Sequence, residues 1–487
     1  MLKILVLLSF FITGSVHAFE RLEAKPLFSE NPIQSSMQVL DSKRLPLRGV
    51  RVFIEGTSLV EELITDENGE FSIPKDWTSA TTVTLIKEGY IQKSYLEIEP
   101  VPQTFILNPK DGQQKLQVSK NTEGYGPLPQ DGQLDFGLVI PALKKEDILS
   151  FDMSSVISPE SDELDIPFYK MEVPSNLSIP RQKERYVLNI TFNKPKYRSF
   201  VRTPGVYKFV ALHGQFPLKK VADAMRNNKS IFEVINDFKM INSGINEVNV
   251  NENRDGQNIA INQINFADQI QIKAPQFNQD KVMLAIAVRE ENGLYFPTDL
   301  KRVDSLGQQS LKVPQIEDHI HVISILMNNQ NLNLNSANLG SEFIRLQEAG
   351  NNLSEMSAAL QNVRNTNESP QFLGLIPRPQ FDGQTIQLAT PTLPEGLKEA
   401  GLKITFSSVE KFGADPNTQS EVRTRQWEFY SDHWTSSITL PHMNLPETPS
   451  GHIKRWEVVF LAAKQDKEVL RENLESISHL SRNVLDF

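Results

Sequence analysis

Between residues 49 and 107, short apolar runs alternate with Gly, Pro and Asn-Gly punctuation, a rhythm that admits strands and little else. Val50, Val52 and Ile54 alternate with Arg51 and Phe53, the period-two pattern of a strand with one face in a core. Asp66-Glu67-Asn68-Gly69 separates Leu63-Ile64-Thr65 from Phe71 and Ile73. Asn-Gly reaches positive φ at low cost, so a β-hairpin is expected there, with solvated acids on its turn rather than a calcium loop. Val83 and Leu85, then Tyr95, Leu96 and Ile98, then Phe105 and Leu107 supply further strands. Strands this short at this spacing predict a small sandwich.

Three elements of this stretch occur together: Gly49 and Val52 in the opening strand, Thr65-Asp66-x-x-Gly69-x-Phe71 at the turn, and Gly89-Tyr90 before a later strand. With them, residues 41–108 resemble the carboxypeptidase regulatory-like domain, which has a transthyretin-like (prealbumin-like) sandwich fold. The motif span covers about an eighth of the chain. The resemblance implies an accessory module beside other secreted domains, in a group whose related sandwiches bind carbohydrate or protein. The peptidases' zinc motif and the receptors' plug-and-barrel are absent from the sequence. The resemblance therefore implies fold and compartment more than activity.

Residues 1–18 are expected to be a secretory signal: Lys3, an apolar run over 4–12, and Val16-His17-Ala18 as a small-x-small cleavage site. The apolar run is shorter than the roughly 20 residues that span a bilayer. No later run is long enough either, so no membrane span is expected after signal cleavage. The chain has no cysteine. Export without disulfides points to a bacterial periplasm, outer surface or extracellular space, and it excludes thiol chemistry and Cys-based metal sites. A formal net charge of −10 argues against nucleic acid as a partner.

The remainder divides by composition and periodicity. Residues 19–40 are expected to be an extended arm and 109–180 an irregular linker, with possible strands at 136–143 and 168–173. Residues 181–328 predict a β-rich domain. Its strands fall at 186–192 and 206–212, paired with each other, and at 282–288, 294–296 and 319–327. It carries a helical insertion over 217–241, built as two short helices. Residues 329–370 predict a polar, partly helical spacer, on the stripe Leu346, Leu353, Met356, Leu360 and Val363. Residues 371–465 predict a last sandwich, and 466–487 a charged helix and tail. The fold class is thus mainly β: β-sandwich modules, transthyretin-like and then Ig-like or similar, with short helical insertions.

Chemistry-bearing motifs are few. On a strand, His319 and His321 would share a face about 7 Å apart, the start of a metal site if His433 with Asp432, or His442, adds a ligand. The same pattern fits two half-exposed strand histidines. Trp427, Trp434 and Trp456 concentrate near the C-terminus. Trp456 shares a strand face with Val458, Phe460 and Ala462 and is expected in the core. Trp434, beside His433, is the candidate for ligand stacking. No nucleophile elbow and no phosphate-binding glycine loop occurs, and no cofactor is expected.

The sequence reads as an exported cell-envelope binding or structural protein with a protein or glycan partner. A hydrolase with a metal near His319 and His321, and a periplasmic assembly scaffold, are the alternatives.

Overall fold

In the computed structural model, residues 36–487 are described apart from 58–62, 111–115, 128, 130–131, 151–157, 159, 167–168, 185–188, 202–203, 228–232, 252–253, 318, 329–354, 363–367, 413–419, 442 and 470–473. The expected signal over 1–18, most of the expected arm and most of the expected spacer lie outside these residues. Among the described residues the chain is mainly β, and no helix is long and apolar enough to cross a membrane.

Its spine is one 13-stranded sheet. From one edge the strands run Leu143–Lys144, Leu294–Val303, Lys281–Glu291, Ile320–Asn328, Met356–Asn362, Ile477–Asp486 and Ile453–Lys464. They continue with Leu397–Phe412, Ser420–Ser431, Gln92–Ile98, Thr81–Ile86, Arg51–Ile54 and Leu63–Ile64. Neighbours are antiparallel except Gln92–Ile98 and Ser420–Ser431, which run parallel. Three small sheets turn stretches of this spine into sandwiches. Ser36–Asp41, with Glu70–Ser72 and Thr104–Leu107, closes a core around Val52, Val83, Leu85 and Tyr95. Asp268–Lys273 and Gln308–Val313 cover Met283, Ala285 and Val322. Gln380–Phe381, Thr385–Gln387 and Ser437–Thr439 cover Phe406, Trp427, Phe429 and Trp456.

A separate two-sheet sandwich packs Gln133–Pro141, Gly205–Pro217 and Lys239–Val250 against Leu116–Glu123 and Lys196–Val201, with Val118, Val139, Tyr197 and Phe209 between. Burying each such side chain contributes about 1.5–3 kcal/mol.

Several expectations change. The segment ending at residue 40 is not all arm: Met37 and Val39 are fully buried in the first core. The stretch 109–180 is not a linker. It supplies the strands Leu116–Glu123, Gln133–Pro141 and Leu177–Glu184, and a short helix, Lys145–Ser150. The turn at residues 66–69 is present, held by Asp66 Oδ1 accepting from the N–H groups of Asn68 and Glu70. Its flanking strands do not pair as a hairpin. Leu63–Ile64 joins Arg51–Ile54, whereas Glu70–Ser72 joins Ser36–Asp41 in the facing sheet. The turn therefore carries the chain from one layer to the other.

Ile190–Lys194 pairs with Leu177–Glu184, not with Gly205–Pro217. The first helix of the insertion is Leu218–Arg226, with Leu218 and Val221 in the core. In place of the second stand a 3-10 turn, Ile235–Asp237, and the start of the strand Lys239–Val250. Met356 and Leu360 belong to a strand, and so does Ile477–Asp486, where a helix and tail were expected. These last two strands sit mid-sheet, where ladder hydrogen bonds on both sides override local helical periodicity.

Candidate functional site

The parallel pairing of Gln92–Ile98 with Ser420–Ser431 joins the first sandwich to the last. Alternation sorts its side chains onto two faces. On one face Trp427 Nε1 donates to Ser94 Oγ at 2.9 Å, and that hydroxyl lies 2.7 Å from Thr84 Oγ1. On the other, the rings of Tyr95 and Tyr430 stack with centroids 5.8 Å apart.

Beside that stack lies a belt of buried charge. Glu428 is fully buried. Lys403 Nζ is 2.9 Å from its carboxylate, Arg425 Nη1 3.3 Å and Lys93 Nζ 4.0 Å, and the Tyr430 hydroxyl donates to it at 3.0 Å. Burial alone would raise this carboxyl's pKa. Lys403, Arg425 and Lys93 outweigh it and hold the group well below the usual carboxylate range. Two strands further on, Glu457 receives Arg482 at 2.7 Å and also pairs with Arg423. Burial opposes ionisation there too, but Arg423 and Arg482 bring the pKa down to about 2. The belt separates two apolar cores on one face of the spine, that around Tyr95 and that around Val459 and Leu461.

On the opposite face, beside the seam, is an open groove of about 780 Å³. Its floor is the outer face of the first sandwich: Phe53, Ile86 and Gln92. Its wall is Gly383 and Gln384, with Leu440, Pro441, Met443, Asn444 and Leu445. Among the described residues no ionisable side chain lines it. The Gln92 amide reaches only the Met443 thioether, at 3.8 Å. Among the described residues the side-chain amides of Gln384 and Asn444 have no hydrogen-bond partner, although the main chain of Gln384 is bonded to Asp382 and Leu440.

The histidines singled out by sequence lie elsewhere. His321 is in the strand Ile320–Asn328, and His319 is in the turn just before it. Each is taken up by its own carboxylate: His319 Nε2 lies 3.0 Å from Glu317, and His321 Nε2 3.0 Å from Glu290. Tyr295 packs edge-on to His321 at 6.2 Å. Burial pushes the Tyr295 hydroxyl up to about 12, with the Glu290 carboxylate adding to it. Lys145 Nζ donates to the Glu475 carbonyl at 2.6 Å, and burial takes this amine down to about 8 against the pull of Glu290 and Glu475.

Among the described residues no three His, Cys, Asp or Glu side chains are grouped as metal ligands. His442 and Asp318 lie outside them. Three strands separate the His321 strand from Leu397–Phe412, beside which Trp434 is fastened. At about 4.8 Å per strand spacing, His433 is not brought to His321. Trp434 is half-buried. Its indole N–H is shared between the carbonyls of Gly401 at 3.1 Å and Leu461 at 3.0 Å, and its ring meets Phe460 edge-on. Trp456 is fully buried, as expected. Sequence reasoning passed over Gln92, Gln384 and Asn444, because isolated amides have no signature until the fold gathers them.

No protein-family model matches the sequence, and no curated protein matches it. Among solved structures, the Bacillus anthracis TIE protein is similar at 9% identity and a TM-score of 0.14. The similarity covers 60% of this chain and 44% of that one, so this chain spans less than half its length. A tetra-tandem repeat in the extending region of a large adhesion protein is similar at 7% identity and a TM-score of 0.11, over 93% of this chain and 92% of that one. Likenesses this slight carry no argument about this chain.

Proposed function

We propose that this chain is an exported protein of the bacterial cell envelope that binds a protein or carbohydrate partner at the junction of its first and last sandwiches. The observation that carries this reading is the groove at the seam, with the exposed amides of Gln384 and Asn444 beside apolar surface. Its volume falls within the range of about 300–1,000 Å³ common to ligand sites. The parallel strand pair and the buried charge belt give the groove two walls held in fixed relation, a preorganisation that lowers the entropy cost of binding. The resemblance of residues 41–108 to the carboxypeptidase regulatory-like domain, and the signal-like N-terminus, support export and an accessory binding role.

The test is affinity capture from solubilised native envelope with wild-type protein and with Met443→Glu, which puts a carboxylate into the groove. A partner retained by wild type and lost by the variant supports the reading. Equal capture by both would move the binding surface elsewhere.

A hydrolase reading draws on the group formed by Lys145, Glu290, Tyr295 and His321. Elemental analysis of the purified protein decides it. Stoichiometric zinc that is lost in His319→Ala would favour the enzyme.

A further inference from the structure

We infer that the seam groove takes an uncharged oligosaccharide. This rests on the binding-protein reading above and narrows it to one class of ligand. Three observations converge.

The first is charge. None of the described lining residues carries an ionisable side chain, so they offer no counter-charge to an acidic sugar, a phosphate or a basic peptide. Arg51 sits over the Phe53 ring, 5.8 Å from its centroid, and is not part of the lining.

The second is hydrogen-bonding type. Gln92, Gln384 and Asn444 each present a donor and an acceptor on one side chain. A sugar hydroxyl also donates and accepts, so adjacent hydroxyls satisfy such amides in both senses. Phe53, Ile86, Met443 and Leu445 supply apolar surface for the C–H faces of the rings.

The third disfavours an extended peptide. Strand addition needs a free ladder edge. The floor strands Thr81–Ile86 and Gln92–Ile98 have neighbours on both sides, and Leu63–Ile64 borders Arg51 and Val52 of Arg51–Ile54. A ligand over Ile86 and Gln92 must therefore be held through side chains.

The experiment applies the purified full chain to an array of neutral hexose and N-acetylhexosamine oligomers beside sialylated, uronic-acid and sulfated glycans. Hits are titrated calorimetrically against Phe53→Ala, the double variant Gln92→Ala with Gln384→Ala, and Met443→Glu. The expected result is binding confined to neutral oligomers, insensitive to salt, and weakened at least about tenfold in the amide variant, as the loss of two hydrogen bonds implies. If one variant fails to fold, the others still address the groove. Binding confined to acidic glycans, or neutral binding that every folded variant leaves intact, overturns the inference. So does a silent array. A silent array from a chain that still forms a saturable complex with a purified envelope protein, abolished by the same variants, leaves the binding-protein reading standing. A silent array with no such complex removes both.

Discussion

Glu428 and Lys93, 335 residues apart in the chain, meet at 4.0 Å with both side chains almost wholly buried. They face each other across the parallel strand pair that welds the first sandwich onto the last. Breaking a buried pair from one side strands the other charge without water. Glu428→Gln should therefore cost about 3–5 kcal/mol, because Lys93, Lys403 and Arg425 lose their common counter-ion. Urea unfolding followed by tryptophan fluorescence measures it. A loss under about 1 kcal/mol would mean that the belt does not hold the seam.

Glu457 predicts a window of acid sensitivity. Its folded pKa is lowered from 4.5 to about 2. The stability it contributes is therefore present above pH 4.5 and lost as pH falls toward 2, on the order of 3 kcal/mol in all. Stability measured from pH 5 to 2 should fall less steeply in Glu457→Gln, although that variant starts from a lower plateau. An unchanged slope would contradict the assignment.

His479 predicts a second window at higher pH. Burial, with Lys464 adding to it, lowers its pKa from 6.5 to about 4, so the folded chain keeps this imidazole neutral. Between those values the unfolded chain binds the extra proton. Stability is then full above pH 6.5 and declines as pH falls toward 4, by roughly 3 kcal/mol. His479→Gln should flatten the curve between pH 6.5 and 4.5 and leave the more acidic limb in place. Histidine titration followed by NMR would show directly whether the group protonates only near pH 4.

Gly69 sits at φ +71°, and a Cβ there would meet the Val39 carbonyl at 2.4 Å and the Leu47 nitrogen at 2.9 Å. Both contacts are main chain, so no rotamer relieves them. Gly69→Ala should destabilise the first sandwich by about 1–3 kcal/mol, read as a lowered thermal midpoint. A variant as stable as wild type would show that the turn can re-form elsewhere.

In a pendant arm Met37 would be exposed to water, whereas in the fold it is fully buried. Met37→Ala should cost about 2–5 kcal/mol, against almost nothing for a pendant arm. Calorimetry on the variant distinguishes the two.

Where an apolar face is reported by local alternation, the strands were legible. Lys281–Glu291 and Ile453–Lys464 are examples, each extending a run expected from sequence. Ile477–Asp486 was not, because Ser478, His479, Ser481, Arg482 and Asn483 give it a polar look. In the fold Arg482 is neutralised by Glu457 and Asn483 donates to the Ile376 carbonyl at 2.6 Å, so a polar strand becomes a central one. Of the sites, His319 and His321 were visible as a motif. Each proves to have its own carboxylate partner, whereas the groove's amides had no motif to show.

Sequence alone determined that this chain is built of strands, that residues 66–69 turn, and that Trp456 faces a core. Each of these is written within a few neighbouring residues, as alternation or as a turn requirement. Only the tertiary structure decided which strands pair: that Leu63–Ile64 and Glu70–Ser72 part into facing sheets, and that Gln92–Ile98 lies along Ser420–Ser431. The physical reason is that alternation reports that a face is buried, not what it is buried against. Pairing is settled by ladder bonds, and buried charge by counter-ions, from residues hundreds of positions away.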